Sequence, residues 1–174
     1  VLRMEGLPKT IRRIRRWLRT RLSIGYRSIE HWLSLTNYTY EEWIQDHQLT
    51  PRQLNQQRID SKLLVNKPVI SFVTPVFNTQ LEALKAMVES VQSQTYPWWE
   101  LCLADGSSPD SDARKFLQEI DGTDNRIKIV FLKENLGISG NTNKAFELST
   151  GEYIALLDHD DLLEPNMLFE IVSL

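Results

Sequence analysis

The sequence predicts an α/β fold: a doubly wound, mostly parallel sheet preceded by a helical N-terminal region. Three observations predict it. From Lys67 onward, short apolar runs alternate with stretches of helical apolar period, the pattern of parallel strands joined by crossover helices. The run Tyr153-Ile154-Ala155-Leu156-Leu157 reads as a buried strand and ends directly in Asp158-His159-Asp160-Asp161. That places carboxylates at the carboxyl end of a strand, where ligands bind in open α/β sheets. The first 66 residues carry helix signals instead.

Each element has its own justification. Residues 10–24 put Ile11, Ile14, Leu18 and Leu22 on one helical stripe beside Trp17, with arginines around the rest. Residues 28–66 read as a helical connector. Thr39 with Glu42 and Thr50 with Gln53 form capping boxes, and the polar run Gln53 to Lys62 argues for exposure. Val69–Thr74 is the first strand. A helix over 80–94, capped by Thr79 with Glu82, buries Leu81, Leu84, Val88 and Val91. Leu101–Ala104 is the second strand, and Ser108-Pro109 opens a helix to Ile120 with Phe116 and Leu117 inward. Ile127–Leu132 is the third strand, 139–149 the third helix, Tyr153–Leu157 the fourth strand, and Pro165 starts a last helix. The expected organisation is an arm (1–27), a connector (28–66) and a sheet domain (67–174).

A chain of 174 residues, 41% hydrophobic and 25% charged, suits one globular domain with an appendage. The net charge of −3 hides an opposition. Residues 1–27 carry nine Lys/Arg against the single acid Glu5, while the remainder is strongly acidic. Such an arm suits an anionic membrane surface, or a stripe packed on another protein surface with its arginines solvated. Nucleic acid is not expected, because no recognition motif accompanies the basic run. A single cysteine, Cys102, excludes an internal disulfide. No apolar run reaches the ~20 residues of a membrane span, and the expected location is cytoplasmic, peripheral on the inner face of the plasma membrane.

The strand ends map the candidate site. The first strand ends in Thr74-Pro75-Val76-Phe77-Asn78, the second in Asp105-Gly106-Ser107-Ser108, and the fourth in the acidic cluster. Phe77 offers an aromatic face to a nucleobase, Asp105 an acceptor, and Gly106 close backbone approach. Crowded carboxylates repel one another unless a hard cation lies between them, so Asp158 and Asp160 suit Mg²⁺ or Mn²⁺. Taken alone, Asp-Gly-Ser is a common turn, Phe77 a core residue and the cluster a helix-capping turn. Their meeting at one sheet edge favours a site. No Gly-x-Gly-x-x-Gly follows the first strand and no P-loop occurs, which leaves the metal to neutralise a bound diphosphate.

Residues 68–174 resemble the donor-binding half of a family 2 glycosyltransferase with the GT-A (Rossmann-like) fold. The matching pieces, in order, are Pro75-Val76-Phe77-Asn78, Ser90-Val91 with Gln94-Thr95-Tyr96-Pro97, Trp99-Glu100-Leu101 and Asp105-Gly106-Ser107-Ser108. Then come Asn135-Leu136-Gly137 with Asn143, Gly151-Glu152-Tyr153-Ile154, and Leu157 through Asp161 with Pro165. The resemblance implies that Phe77 stacks near the base and Asp105 hydrogen-bonds it. It implies that Asn135 and Gly137 shape the loop beside the donor sugar and that Asn143 braces the helix beneath. Asp158 would reach the ribose or the metal's water shell, and Asp160 would bind the metal directly. His159 is left unassigned. The family commonly has two acids before Gly-Ser, and here the first position is Ala104, which leaves one carboxylate for the nucleoside.

The implied reaction transfers a sugar from a nucleoside-diphosphate sugar (a UDP-sugar or similar) to a glycan or lipid-linked acceptor with inversion, in surface polysaccharide synthesis. In the resembled family the catalytic base comes from an acidic motif well downstream of the Asp cluster. The expectation is therefore a donor-binding half whose base lies beyond Leu174; Asp161 and Glu164 belong to the metal turn and its helix instead. The alternative is a non-catalytic module for sugar-nucleotide binding or membrane docking.

Overall fold

The computed structural model describes residues 39–174. The basic arm expected over 1–27 and the start of the connector lie outside them. The chain divides into two compact units, Val1–Leu49 and Thr50–Leu174. In the first, helix α1 (Tyr40–His47) opens on the expected capping box, with Thr39 and Glu42 exchanging bonds of 3.2 Å in both directions. Tyr40, Trp43 and His47 stack along it, as side chains three and four apart on a helix can.

The second unit begins with α2 (Pro51–Ser61), opened by the Thr50–Gln53 box. Much of this helix is exposed, yet it is fastened to the sheet domain. Thr95 Oγ1 donates to Gln57 Oε1 at 3.2 Å, Gln57 Nε2 donates to Glu170 Oε1 at 2.9 Å, and the buried Ser61 hydroxyl donates to Thr95 O at 3.3 Å. The unit's boundary thus falls inside the stretch read from sequence as connector.

Four strands follow, β1 (Ile70–Val76), β2 (Trp99–Asp105), β3 (Ile127–Phe131) and β4 (Tyr153–Leu156), in the order β3-β2-β1-β4 with every pairing parallel. Helices α3 (Leu81–Gln92), α4 (Asp112–Ile120) and α5 (Gly137–Phe146) connect them, and α6 (Met167–Val172) closes the chain. The two faces of the sheet are covered separately, as a doubly wound fold requires. Phe72, Val76, Leu101 and Leu103 pack with Leu84, Val91 and Leu117 of α3 and α4. Val73 and Ala104 meet Ala145 of α5 on the opposite face. The chain steps outward from β1 to β3, then returns through α5 to place β4 on the other side of β1. Its direction therefore reverses between β1 and β4, which is where open sheets leave a crevice.

Several local expectations are corrected. The Thr79–Glu82 box does not form: α3 starts one residue later, its N-cap Gln80 makes no side-chain bond, and the Thr79 hydroxyl is buried without a partner. Helix α4 begins at Asp112 with Ser111 as cap, because Ser108–Asp110 turns first. The largest difference is β4. Its apolar run reads as buried, but Tyr153 and Leu156 are 62% and 76% exposed. Being an edge strand explains it: the residues described here supply a neighbour on one side only.

Candidate functional site

A cavity of about 300 Å³ lies at the reversal point. Pro75, Val76 and Phe77 from the end of β1 line one side, Asp158, His159 and Asp160 from the end of β4 another, and Asn135, Gly137, Ile138 and Asn141 from the start of α5 the third. A larger hollow of about 410 Å³ between α3 and Leu162–Pro165 is a shallow surface trough. Its lining hydroxyls are already engaged: Ser90 accepts from Leu163 N and donates to Met87 O, and Ser93 donates to Ser90 O. The residues singled out at the ends of β1 and β4 line the first cavity instead.

The sequence places Pro75 and Phe77 on the α5 face of β1, since side chains alternate along a strand. Phe77 stands 46% exposed at the mouth, an apolar ring with no core partner. Asn78 follows with φ of 47°, a left-handed conformation that asparagine tolerates better than most residues. It is held there by a reciprocal pair: Asn78 N donates to Ser107 Oγ at 2.8 Å, and Ser108 N donates to Asn78 Oδ1 at 3.0 Å. The ends of β1 and β2 are thereby joined.

Asp105 behaves differently from its neighbours in the cleft wall. It is fully buried and shares its face of β2 with Leu101 and Leu103, toward α4. Its Oδ1 accepts from Ser107 N at 2.8 Å, and its Oδ2 lies 3.3 Å from Arg114 Nε without the alignment of a hydrogen bond. On the cleft side of the same strand the residue is Ala104, level with Pro75 in the register. Gly106 has a steric reason to be glycine: a Cβ would sit 2.8 Å from Asn141 Nδ2 and 3.2 Å from Asn135 Cα.

The third wall is organised by Asn141, which sequence reading passed over. Buried to 1% exposure, it accepts from Leu136 N at 3.1 Å and donates to Asn135 Oδ1 at 3.0 Å, the same oxygen that takes Gly137 N at 3.0 Å. Gly137 opens the helix at φ 75°, a conformation glycine adopts freely. Asn143, expected to brace this helix, is exposed; two residues on from Asn141 it has rotated about 200° to the far side. The detectable signal was the position of Asn141, one helical turn after Gly137 and on the same face.

The acidic turn is held from behind rather than within. The backbone after it is tied to the end of α3 through the Ser90-Gln94-Thr95 piece: Leu163 N donates to Ser90 Oγ at 3.2 Å, Gln94 Nε2 to Glu164 O at 2.8 Å, Leu168 N to Gln94 Oε1 at 3.1 Å and Thr95 N to Pro165 O at 2.7 Å. Ahead of β4, the buried carboxylate of Glu100 gathers Ser71 Oγ, Thr150 N and Oγ1, Gly151 N and Lys128 Nζ. Burial pushes its pKa up, but the bonds from Lys128, Thr150 and Ser71 outweigh burial and bring the pKa down to about 2.

The carboxylates themselves are open to solvent. Asp158 and Asp161 are exposed, and Asp160 is 62% exposed, with His159 Nδ1 3.6 Å from its Oδ1. Among the described residues no three His, Cys, Asp or Glu side chains form a preassembled metal cage. Two carboxylates facing one cleft still fit Mg²⁺ or Mn²⁺, which commonly take one or two protein carboxylates and fill the remaining positions with phosphate oxygens and water. No described helix is long and apolar enough to cross a membrane.

A sequence model of the family described as Glycosyl transferase family 2 matches residues 71–174. Among curated relatives, an uncharacterized protein of Sinorhizobium fredii is 46% identical over 110 residues, covering 63% of this chain and 12% of its own. The Escherichia coli UDP-Glc:alpha-D-GlcNAc-diphosphoundecaprenol beta-1,3-glucosyltransferase WfgD is 33% identical, covering 61% of this chain and 40% of its own. The chain thus spans well under two thirds of these relatives. Among solved structures, S. aureus TarS in complex with UDP-GlcNAc superposes with a TM-score of 0.54 at 21% identity, over 60% of this chain and 30% of that one. The mannosyltransferase PcManGT of Pyrobaculum calidifontis, in complex with GDP-Man and Mn²⁺, does so with a TM-score of 0.52 at 18% identity, over 67% and 40%.

Proposed function

The chain belongs to glycosyl transferase family 2, and from that premise we propose that its cleft binds the nucleoside-diphosphate end of a sugar donor. The parent activity proposed is transfer of the sugar, with inversion, to a glycan or lipid-linked acceptor in surface polysaccharide synthesis. One observation carries the reading. An exposed aromatic ring, a polar helix start and an acidic turn, from three separate chain segments, converge on one cavity at the reversal point of the sheet.

In this reading Phe77 stacks on the base. Asn135 and Gly137 present a polar backbone edge to the sugar, held in shape by Asn141. Asp158 and Asp160 hold the divalent metal at the diphosphate. When bound, such an ion neutralises charge on the departing diphosphate. The chain's own part is to orient the donor: the base at the β1 end and the phosphates at the β4 end. Transfer with inversion also calls for a carboxylate base at the acceptor hydroxyl, and no described carboxylate is assigned that role. Residues 1–27 are proposed as an arm for an anionic membrane surface, supported by their arginines and Trp17. The test is calorimetric titration of the chain with UDP and with GDP, with Mn²⁺ and then with EDTA. Binding that EDTA abolishes is expected. Binding indifferent to EDTA removes the metal from the reading, and no binding of either nucleotide removes the donor site.

A further inference from the structure

Arg114 is the most heavily engaged cation near the cleft, yet it touches no part of it. Its side chain is only 11% exposed. From α4 its Nη1 donates to Ser107 O at 2.7 Å, its Nη2 to Leu132 O at 2.9 Å, and its Nε faces Asp105 Oδ2 at 3.3 Å. Its guanidinium also lies over the Phe131 ring, 5.5 Å from the centroid. One planar group therefore spans the end of β2 and the end of β3, using the forked donor geometry that lysine lacks. Ser107 in turn has every polar atom occupied: its N by Asp105, its O by Arg114 and its Oγ by Asn78 N. A continuous path of bonds runs from Arg114 through Ser107 to Asn78, next to Phe77, and from Arg114 to Leu132, three residues before Asn135.

We infer that Arg114 is a positioning residue for the donor cleft, acting with Asp105 as a buried clamp that sets both the Phe77 rim and the Asn135–Gly137 loop. The inference rests on the donor-site reading above and assigns Asp105 to the clamp rather than to the base. Three facts favour this. Asp105 is wholly buried, it lies on the α4 face of β2 while the cleft opens on the α5 face, and its carboxylate already faces a cation. An unpaired carboxylate at that depth is strongly disfavoured, so the arginine and the aspartate act as one unit.

The experiment titrates UDP with Mn²⁺ into the wild-type chain, Arg114→Lys, Asp105→Asn and the Arg114→Met/Asp105→Asn double variant, with thermal melts of each. Arg114→Lys keeps the charge pair but loses the fork; it should weaken UDP about tenfold or more while Tm falls by only a few degrees. Asp105→Asn keeps the acceptor for Ser107 N but leaves Arg114 without its charge partner, so it should weaken UDP in the same direction as Arg114→Lys and speed amide exchange at Ser107 with it. The double variant removes both charges together, so it guards against a lysine variant that fails to fold, and it should also lose affinity. Unchanged UDP affinity in Arg114→Lys, or in the double variant if the lysine one is unfolded, overturns the positioning role. A loss of affinity in Asp105→Asn with amide exchange at Asn78, Ser107 and Ser108 unchanged overturns the clamp and returns Asp105 to the base, and no loss at all overturns its share in the clamp. Should the wild-type chain bind no nucleotide, the donor reading fails separately. Amide exchange in the free protein then decides: faster exchange at Asn78, Ser107 and Ser108 in Arg114→Lys supports the clamp, and unchanged exchange overturns it.

Discussion

The two rims of the cleft are built in opposite ways. At the ends of β1 and β2, Asn78, Ser107 and Asp105 engage one another and Arg114, with Asp105 and Ser107 almost sealed from water. Beyond the end of β4, Asp158, Asp160 and Asp161 stand in solvent after a short strand whose Tyr153, Ile154 and Leu156 are exposed. The contrast follows from what each rim would hold. A flat, largely neutral base is recognised by a rigid shape, and rigidity before binding avoids ordering costs afterwards. A diphosphate with its cation brings its own charges, so the protein need only supply carboxylates at the correct edge and let the ion complete its shell.

The largest effect should come from the group that anchors the strand leading to the open rim. Glu100 ties Thr150 and Gly151, just ahead of β4, to β1 and to Lys128 of β3. Its pKa of about 2 lies below the ordinary carboxylate value. The stability it contributes is therefore present above pH ~4.5 and lost as pH falls toward 2. Glu100→Gln should cost about 2–3 kcal/mol at neutral pH and flatten the acid limb of a pH–stability curve measured by urea denaturation. An equally steep acid limb in the variant would place the acid sensitivity elsewhere. Amide exchange should show the loss concentrated in Ile154–Leu156 rather than at Ser107; equal loss at both rims would erase the contrast drawn here.

Two affinity measurements sharpen the comparison next. Phe77→Ala should weaken uridine monophosphate and diphosphate alike, by about tenfold to a hundredfold, because stacking on a base is worth ~1–3 kcal/mol. Asp160→Ala should leave monophosphate binding nearly unaltered and remove the EDTA-sensitive part of diphosphate binding, since without the ion the phosphates face like charge from Asp158. Neither variant should shift Tm by more than a few degrees, both side chains being largely exposed. If Asp160→Ala weakened monophosphate as strongly as diphosphate, the division into a base rim and a phosphate rim would fail.

Much of the fold was legible because its strands are short apolar runs and two of its caps are complete boxes in sequence. The Thr39–Glu42 and Thr50–Gln53 boxes form as read. Thr79–Glu82 has the same spelling but sits one residue out of phase with the helix, and spelling alone does not set phase. The apolar composition of β4 says that the strand can be buried, whereas its position at a sheet edge decides that it is exposed in these residues. The site residues were legible as types at strand ends. Which face each occupied was not: Asp105 and Ala104 are neighbours in sequence pointing to opposite sides of the sheet, and Asn141 and Asn143 lie on opposite sides of one helix. Partners such as Arg114 are invisible without the fold, because nothing local ties residue 114 to residues 105, 107 and 132.

The smallest effect predicted is also the finest test of how the closed rim is held. Asn78 sits at φ 47° and accepts Ser108 N through Oδ1. Its backbone N–H bond to Ser107 survives any substitution but proline. Replacement by glycine loses the side-chain acceptor, about 1 kcal/mol. It also relieves the cost of the left-handed backbone while adding freedom to the unfolded chain, and these two effects oppose each other. Asn78→Gly should therefore fall within ~1 kcal/mol of wild type. Asn78→Ala loses the same acceptor and meets the full left-handed penalty of an L side chain, so it should be less stable than the glycine variant by about 1 kcal/mol. The order of the two Tm values is the measurement: glycine above alanine means the rim stores backbone strain that the Ser107–Ser108 bonds offset. Alanine equal to or above glycine would mean that the turn is unstrained and that the side-chain bond alone holds it. In that case Phe77, the next residue along, would be expected to keep its place over the cleft in either variant, and UDP affinity should not distinguish them.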